Sequence, residues 1–386
     1  MSKVYISGIG QLPVREHWDY SLRELAARAV LLAMDDAQIE SADALYVGNM
    51  LSGILTGQEN LGTLIAEYTG LEGIEAIKVE AACASGAAAL RQAFLTVSSG
   101  ILETVVVVGV EKLTELSGFQ TTAALATAAD ADYEAAMGLN FCAINALLMR
   151  RYMHEYKYNR ADFAEFVVTA HRNAVHNPNA MFQFEITQEQ YSKSKMIADP
   201  ISLLDSSPIA DGAAAVVITS NKKSIIPERT VSIACCEPGT DTIAVHNRNN
   251  PLWLKGVEKS TFKALKTAGV SHQDIDALEG HDAFSIMSAL SLEAGGFAEK
   301  GQAVATANNG EFDLDGRLPI SVFGGLKGRG HPVGATGIYQ IVESAMQLRG
   351  EAPNELQLED VKRIMTQNIG GSGSNVTTTI LQKATF

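Results

Sequence analysis

Cys83 lies in the stretch VEAACASGAAAL, Val79 to Leu90, among some of the smallest side chains in the chain. An apolar run, AIKVEAA, ends just before it, and a helical pattern, ASGAAALRQAFLTVSSG, starts just after. A thiol at such a junction faces unpaired backbone N–H groups and the positive end of a helix dipole. Both draw its pKa below the free value of about 8.5. Ala82, Ala84, Ser85 and Gly86 leave space for a substrate to approach. Taken alone, Cys83 still reads better as an inert buried thiol, the commonest setting of a free cysteine.

Three further segments carry candidate groups. GGLKGRGHPVGATG, Gly324 to Gly337, satisfies neither the phosphate-loop spacing nor G-x-G-x-x-G. It does hold His331 between Gly330 and Pro332, a rigid turn from which an imidazole can serve a thiol as base. The alternative is a solvated turn histidine. EGHDAFS places His281 and Asp282 at a strand-to-helix turn, where Asp282 can equally be a helix cap. QNIGGSGSN, Gln367 to Asn375, reads as a hairpin turn or as a set of backbone N–H groups offered to an oxyanion.

The elements that must position these groups alternate. KVYISGIG, ALYVGNM and TVVVVGVEKL read as strands, and LRELAARAVLLAMDDAQI and QENLGTLIAEYTG as helices. The unbroken VVVVGV run suits a sheet covered on both faces. From about Ser117 to Asp205 the pattern becomes helical and irregular, as an inserted cap over the sheet, with Asn159 and Asp162 in position to cap one helix. DGAAAVVITS returns to strand. The polar, proline-containing NKKSIIPERT reads as a linker. Alternation then resumes through VSIACCEPG, the amphipathic LKGVEKSTFKALKTAGV, GIYQIVESAMQLRG and the hairpin RIMTQNIGGSGSNVTTTILQ. The expected organisation is a duplicated α/β unit: 1–226, with the insertion at about 117–205, and 227–386.

The 386 residues are 46% hydrophobic and 19% charged, an ordinary globular balance, and the formal net charge is −14. With no long Lys/Arg run, nucleic-acid binding is not expected. Cys83, Cys142, Cys235 and Cys236 form no C-x-x-C pair, so no metal site is expected, and no disulfide framework is visible. No apolar run reaches membrane-spanning length, and neither end shows a leader or retention signal. A soluble cytoplasmic protein is expected.

Taken together, the four segments resemble the motifs of the thiolase superfamily, most closely the sterol-carrier-protein-type thiolases and archaeal and bacterial acetyl-CoA acetyltransferases. The resemblance runs from VYISGIG to TTTIL, and MIADPISLLDSSPIADGAAAVVITS and GGLKGRGHPVGATG are its most specific parts. It implies a five-layered αβαβα fold and reversible Claisen condensation of acyl-CoA thioesters, with no permanently bound cofactor. It implies that Cys83 carries the acyl group, that His331 activates it, and that His281 stands where many relatives have an oxyanion-hole asparagine. The N–H groups of Gly370 and Cys83 are expected around the thioester carbonyl.

The chain departs from the family pattern in two places. Asn368 stands where the fourth motif usually has a second cysteine, and Ala283 where related branches place it instead. The proton on the attacking acetyl group is then left to His281, His331 or water. The resemblance further implies a homodimer or tetramer and leaves room for an OB-fold, zinc-ribbon partner protein. Lys327, Arg329 and Arg172 are candidate cations for the coenzyme A phosphates, against the plainer reading of solvated surface charges. Two other functions stay open: a thiolase-like condensing enzyme or acyltransferase with another acceptor, and a low-activity lipid-binding subunit.

Overall fold

The computed structural model describes residues 2–222 and 225–384. Lys223 and Ser224, in the expected linker, and the last residues of the terminal QKATF lie outside the described part. The first half runs β1 (Val4–Gln11), α1 (Leu22–Ala37), β2 (Ala44–Gly48), α2 (Leu61–Tyr68), β3 (Glu75–Val79), α3 (Ser85–Ser99) and β4 (Thr104–Glu111). The irregular stretch follows as α4 (Gly118–Leu125), α5 (Phe141–Tyr156), α6 (Ala164–Ala174), α7 (Gln188–Ser192) and a small hairpin of β5 (Met196–Ala198) and β6 (Ile201–Ser202). Asn159 and Asp162 form a reciprocal cap on the 3₁₀ turn that opens into α6. Strand β7 (Gly212–Thr219) then closes this half.

The second half is β8 (Val231–Thr240), α8 (Lys255–Ala268), β9 (Ala277–Glu279), α9 (Ser285–Ala294), α10 (Ala303–Asn308), α11 (Gly325–Gly328), α12 (Thr336–Arg349), β10 (Arg363–Gly370) and β11 (Asn375–Lys383). The main sheet has the order β3-β2-β4-β7-β1-β8-β11-β10-β9. The two halves meet where β1 pairs antiparallel with β8, Val4 opposite Ile233.

Alternation along the strands builds the layers. On β4, Val106, Val108 and Val110 pack with α1 residues such as Val30 and Ala33. Val105 and Val107 face the other way, onto Leu90 and Ala93 of α3 and Ile338 and Ile341 of α12. Ile364 and Leu381 cover the far side of that helical layer. Met365 and Ile380, one residue along, turn instead to α8 and α9. The order is therefore outer helices, the β3-β2-β4-β7-β1 part of the sheet, α3 with α12, the β8-β11-β10-β9 part, outer helices: the αβαβα thiolase fold expected from the motifs. The valine run of β4 is apolar because both of its faces are covered. No described helix is long and apolar enough to cross a membrane.

Candidate active site

The two central helices bring the site together. Both begin at its floor, and their first turns touch through backbone. A Cβ on Gly86 would lie 2.8 Å from the Gly334 carbonyl oxygen, so no larger residue fits without displacing the G-H-P loop. Ahead of α3, Ala82 takes a left-handed φ of 52°, a conformation that costs a non-glycine residue on the order of 1 kcal/mol. Ser85 holds that turn: its hydroxyl accepts from the Ala81 N–H at 2.9 Å and donates to the Ala82 carbonyl at 2.6 Å. Cys83 is thereby fixed one residue before the helix cap, Ala84.

His331 is set by Gly330, whose φ of 111° is open to glycine, and by Pro332. Its Nδ1 lies 2.7 Å from the Thr336 hydroxyl. His281 follows the end of β9, and its Nδ1 lies 3.3 Å from the Asn368 amide nitrogen on β10. One donor atom from each of Cys83, His281 and His331 falls within 4.8 Å of the others. The β10–β11 turn completes the floor: Gly371 lines the cavity with Cys83, and its backbone N–H opposes the upward shift of the Cys83 thiol. The glycine turn that follows Gly370 therefore borders the site, through Gly371.

A cavity of about 530 Å³ opens over these groups. Apolar side chains from three regions line it: Leu113, Leu125 and Phe141; Ile197, Leu203 and Ile209; Ala283, Phe284 and Met287. The irregular segment between β4 and β7 supplies its roof. Ala283 confirms that no thiol enters from the third motif.

Burial dominates the electrostatics. It pushes the Cys83 thiol up to about 12, against the Gly371 N–H, and the buried Glu111 charge adds to the rise. The thiolate expected from the helix terminus is therefore not the resting form: desolvation outweighs the dipole. Burial also pulls His281 down to about 3, with Asp282 opposing and Arg329 and Lys327 assisting. It holds His331 well below its usual value, helped by His281 and Arg329. At neutral pH the site is a thiol between two neutral imidazoles.

The candidate phosphate cations stand elsewhere. Lys327 is buried, donating to the Asp282 carbonyl at 2.6 Å and facing the Asp282 carboxylate at 3.4 Å. Arg329 is fully buried and pairs with Glu343 at 2.5 Å. Neither is a surface cation free to meet a phosphate; they neutralise carboxylates beneath the histidines. Arg172 is half-exposed but engaged with Asp313 at 2.6 Å and Glu165 at 3.9 Å.

Two residues that the motif reading passed over also matter. Thr336 touches His331, as above. Glu111, buried at the end of β4, accepts from the N–H groups of Met50, Leu51 and Gly334 and from the Asn49 amide. It ties the G-H-P loop to the first half. A charge closing an otherwise apolar strand was its signal in the sequence.

Residues 8–222 match the family pattern described as thiolase, N-terminal domain, and residues 238–383 the one described as thiolase C-terminal domain-like. The chain belongs to the thiolase family. Along its whole length this thiolase is 41% identical to an acetyl-CoA acetyltransferase of Methanothermobacter thermautotrophicus, covering 99% of this chain and 100% of that one. It is 29% identical to sterol carrier protein 2 of Homo sapiens, over 98% of this chain and 72% of that protein. A solved structure of an Ltp2-ChsH2(DUF35) aldolase superposes with a TM-score of 0.85 at 26% identity, covering 98% of this chain and 97% of that one. The thiolase is an acyltransferase of the branch that the four motifs indicated.

Proposed function

We propose that this chain catalyses reversible Claisen condensation and thiolysis of acyl-CoA thioesters through a covalent acyl group on Cys83. The observation that carries this reading is the convergence of Cys83, His281 and His331 within 4.8 Å beneath an apolar cavity. His331 takes the Cys83 proton as the sulfur attacks the thioester. The proton passes from one neutral group to another, so no resting ion pair has to be desolvated. Backbone N–H groups of the β10–β11 turn and of Cys83 stabilise the tetrahedral oxyanion. In the simplest case two acetyl-CoA molecules give acetoacetyl-CoA and coenzyme A.

Intact-mass analysis after incubation with acetyl-CoA tests the reading. A single acetyl adduct is expected on the wild type and none on Cys83→Ala. No adduct, together with no thiolysis of acetoacetyl-CoA by coenzyme A, would sink it. A second reading, carbon–carbon chemistry with another acceptor, is favoured by one feature: neither position of the usual second thiol holds cysteine, since they are Ala283 and Asn368. The likeness to an aldolase complex supports the same reading and supports a partner subunit. Size-exclusion chromatography with light scattering separates a homodimer or tetramer from a monomer that needs such a partner. The four free cysteines fit the cytoplasmic setting read from the sequence.

A further inference from the structure

Two imidazoles face Cys83; Cys142 lines the same cavity, but it stands outside the cluster of Cys83, His281 and His331, and neither motif position of the usual second thiol holds cysteine. The hydrogen bonds behind the two rings divide the work between them. Thr336 lies 2.7 Å from His331 Nδ1 and 3.3 Å from the Pro332 carbonyl oxygen. A back-bond to that carbonyl, usual for a helical threonine, is one of the two places for its single hydroxyl proton, and the one that leaves the hydroxyl oxygen free to accept. The oxygen then accepts from Nδ1–H and leaves His331 Nε2 as a bare lone pair. This arrangement survives protonation of Nε2 without any rearrangement, as a working base requires.

His281 is held the other way. The Asn368 amide donates to His281 Nδ1, so the ring proton sits on Nε2. Asn368 Oδ1 is buried with no partner among the described residues. Turning the amide over would leave its N–H₂ group unpaired instead, and buried donors are orphaned more rarely than buried acceptors. With both nitrogens occupied, His281 has no lone pair to offer.

Resting on the acyl-thioester reading above, we propose that Asn368 clamps His281 as a hydrogen-bond donor and that His331 alone serves as base in both half-reactions. The protons balance. His331 takes the Cys83 proton, the sulfur bonds to the acyl carbon, and the departing coenzyme A thiolate takes that proton from His331. His331, neutral again, removes a methyl proton from the second acetyl-CoA while His281 Nε2–H donates to the enolate oxygen. The enolate carbon bonds to the acyl carbon, the carbon–sulfur bond to Cys83 breaks, and the Cys83 sulfur recovers a proton from His331. No second acid–base group is needed. His331 and His281 are catalytic residues in this account, and Asn368 and Thr336 are positioning residues.

Asn368→Asp tests the clamp, because a carboxylate of the same shape accepts from Nδ1–H and turns the His281 tautomer over. Acetylation of Cys83 should stay within about threefold of the wild type. Exchange of acetyl-CoA methyl protons in D₂O, and condensation with it, should fall by roughly 100-fold or more, the scale of losing one oxyanion donor. Condensation within a few-fold of the wild type would overturn the proposal. His281→Asn supplies a second measurement should that variant not fold. It keeps a donor and removes any base, so methyl exchange should stay well above the uncatalysed rate; a fall to that rate would also overturn the proposal. If the wild type forms no Cys83 adduct, the underlying thioester reading fails first and visibly.

Discussion

The imidazole rings of His281 and His331 meet edge to face, with centroids 5.0 Å apart and planes 86° apart. They come from two separate turns of the C-terminal half, 50 residues apart in sequence, and each is held from behind by a different partner. Each ring, if protonated, would raise the cost of charging the other, which keeps both neutral in a site that burial already makes hostile to charge.

The first consequence concerns Cys83. Because burial keeps its thiol protonated, with a pKa of about 12, alkylation by iodoacetamide at pH 7 should be slower than for an exposed thiol. The rate should go on rising past pH 9 without a plateau. A plateau near pH 5 to 6, measured by mass spectrometry of the Cys83 peptide, would mean a resting thiolate–imidazolium pair instead.

Stability should depend on pH through the same histidines. His281 has a folded pKa of about 3, below its ordinary value of 6.5. A depressed histidine pKa contributes stability that is present above 6.5 and lost as pH falls towards the folded value, because the unfolded chain takes up the proton first. Between pH 6 and pH 4, His281→Asn should lose less stability than the wild type, by up to about 1.4 kcal/mol per pH unit. Denaturant titrations at three pH values measure this; equal slopes would contradict it.

The fully buried pair of Arg329 and Glu343 should be costly to break from one side. Arg329→Met leaves Glu343 uncompensated and should destabilise the fold by about 3–5 kcal/mol. Adding Glu343→Leu should recover a large part of that loss. A single variant as stable as the wild type in urea would show that Glu343 is protonated and the pair idle.

Gly86→Ala should separate the two central helices at the site. The added Cβ meets the Gly334 carbonyl oxygen at 2.8 Å, so either Cys83 or the G-H-P loop must move. Misplacing a nucleophile by as little as 1 Å can cost on the order of 100-fold in rate. Cys83 acetylation should therefore slow by at least tenfold, with the melting temperature also lowered. Unchanged acetylation kinetics would show that the contact yields freely.

Much of this was legible in the chain. The alternation of apolar runs and helical periods predicted a layered α/β fold, because a strand covered on both faces has no alternative to the continuous valines of β4. Cys83, His281 and His331 were legible only together: each segment alone left a bland reading open, and the four segments in order resembled one family. The roles of Lys327 and Arg329 were not. A cation in a glycine-rich loop looks the same in sequence whether it faces solvent or a carboxylate many residues away, and Asp282 and Glu343 are 45 and 14 positions distant.

By itself the sequence determined which residue types are present, their order along strands and helices, and the absence of a second thiol at either expected position. Only the tertiary structure decided their electrical state and direction. The pKa of Cys83 depends on how much water is excluded around it, which is a property of the packed layers and outweighs the local pull of a helix terminus. The contacts that would set the proton positions on His281 and His331 come from Asn368 and Thr336, and His281 and Asn368 are 87 residues apart in sequence. Desolvation and long-range hydrogen bonds exist only once the chain has folded, and on them rest the roles proposed for Cys83, His281 and His331.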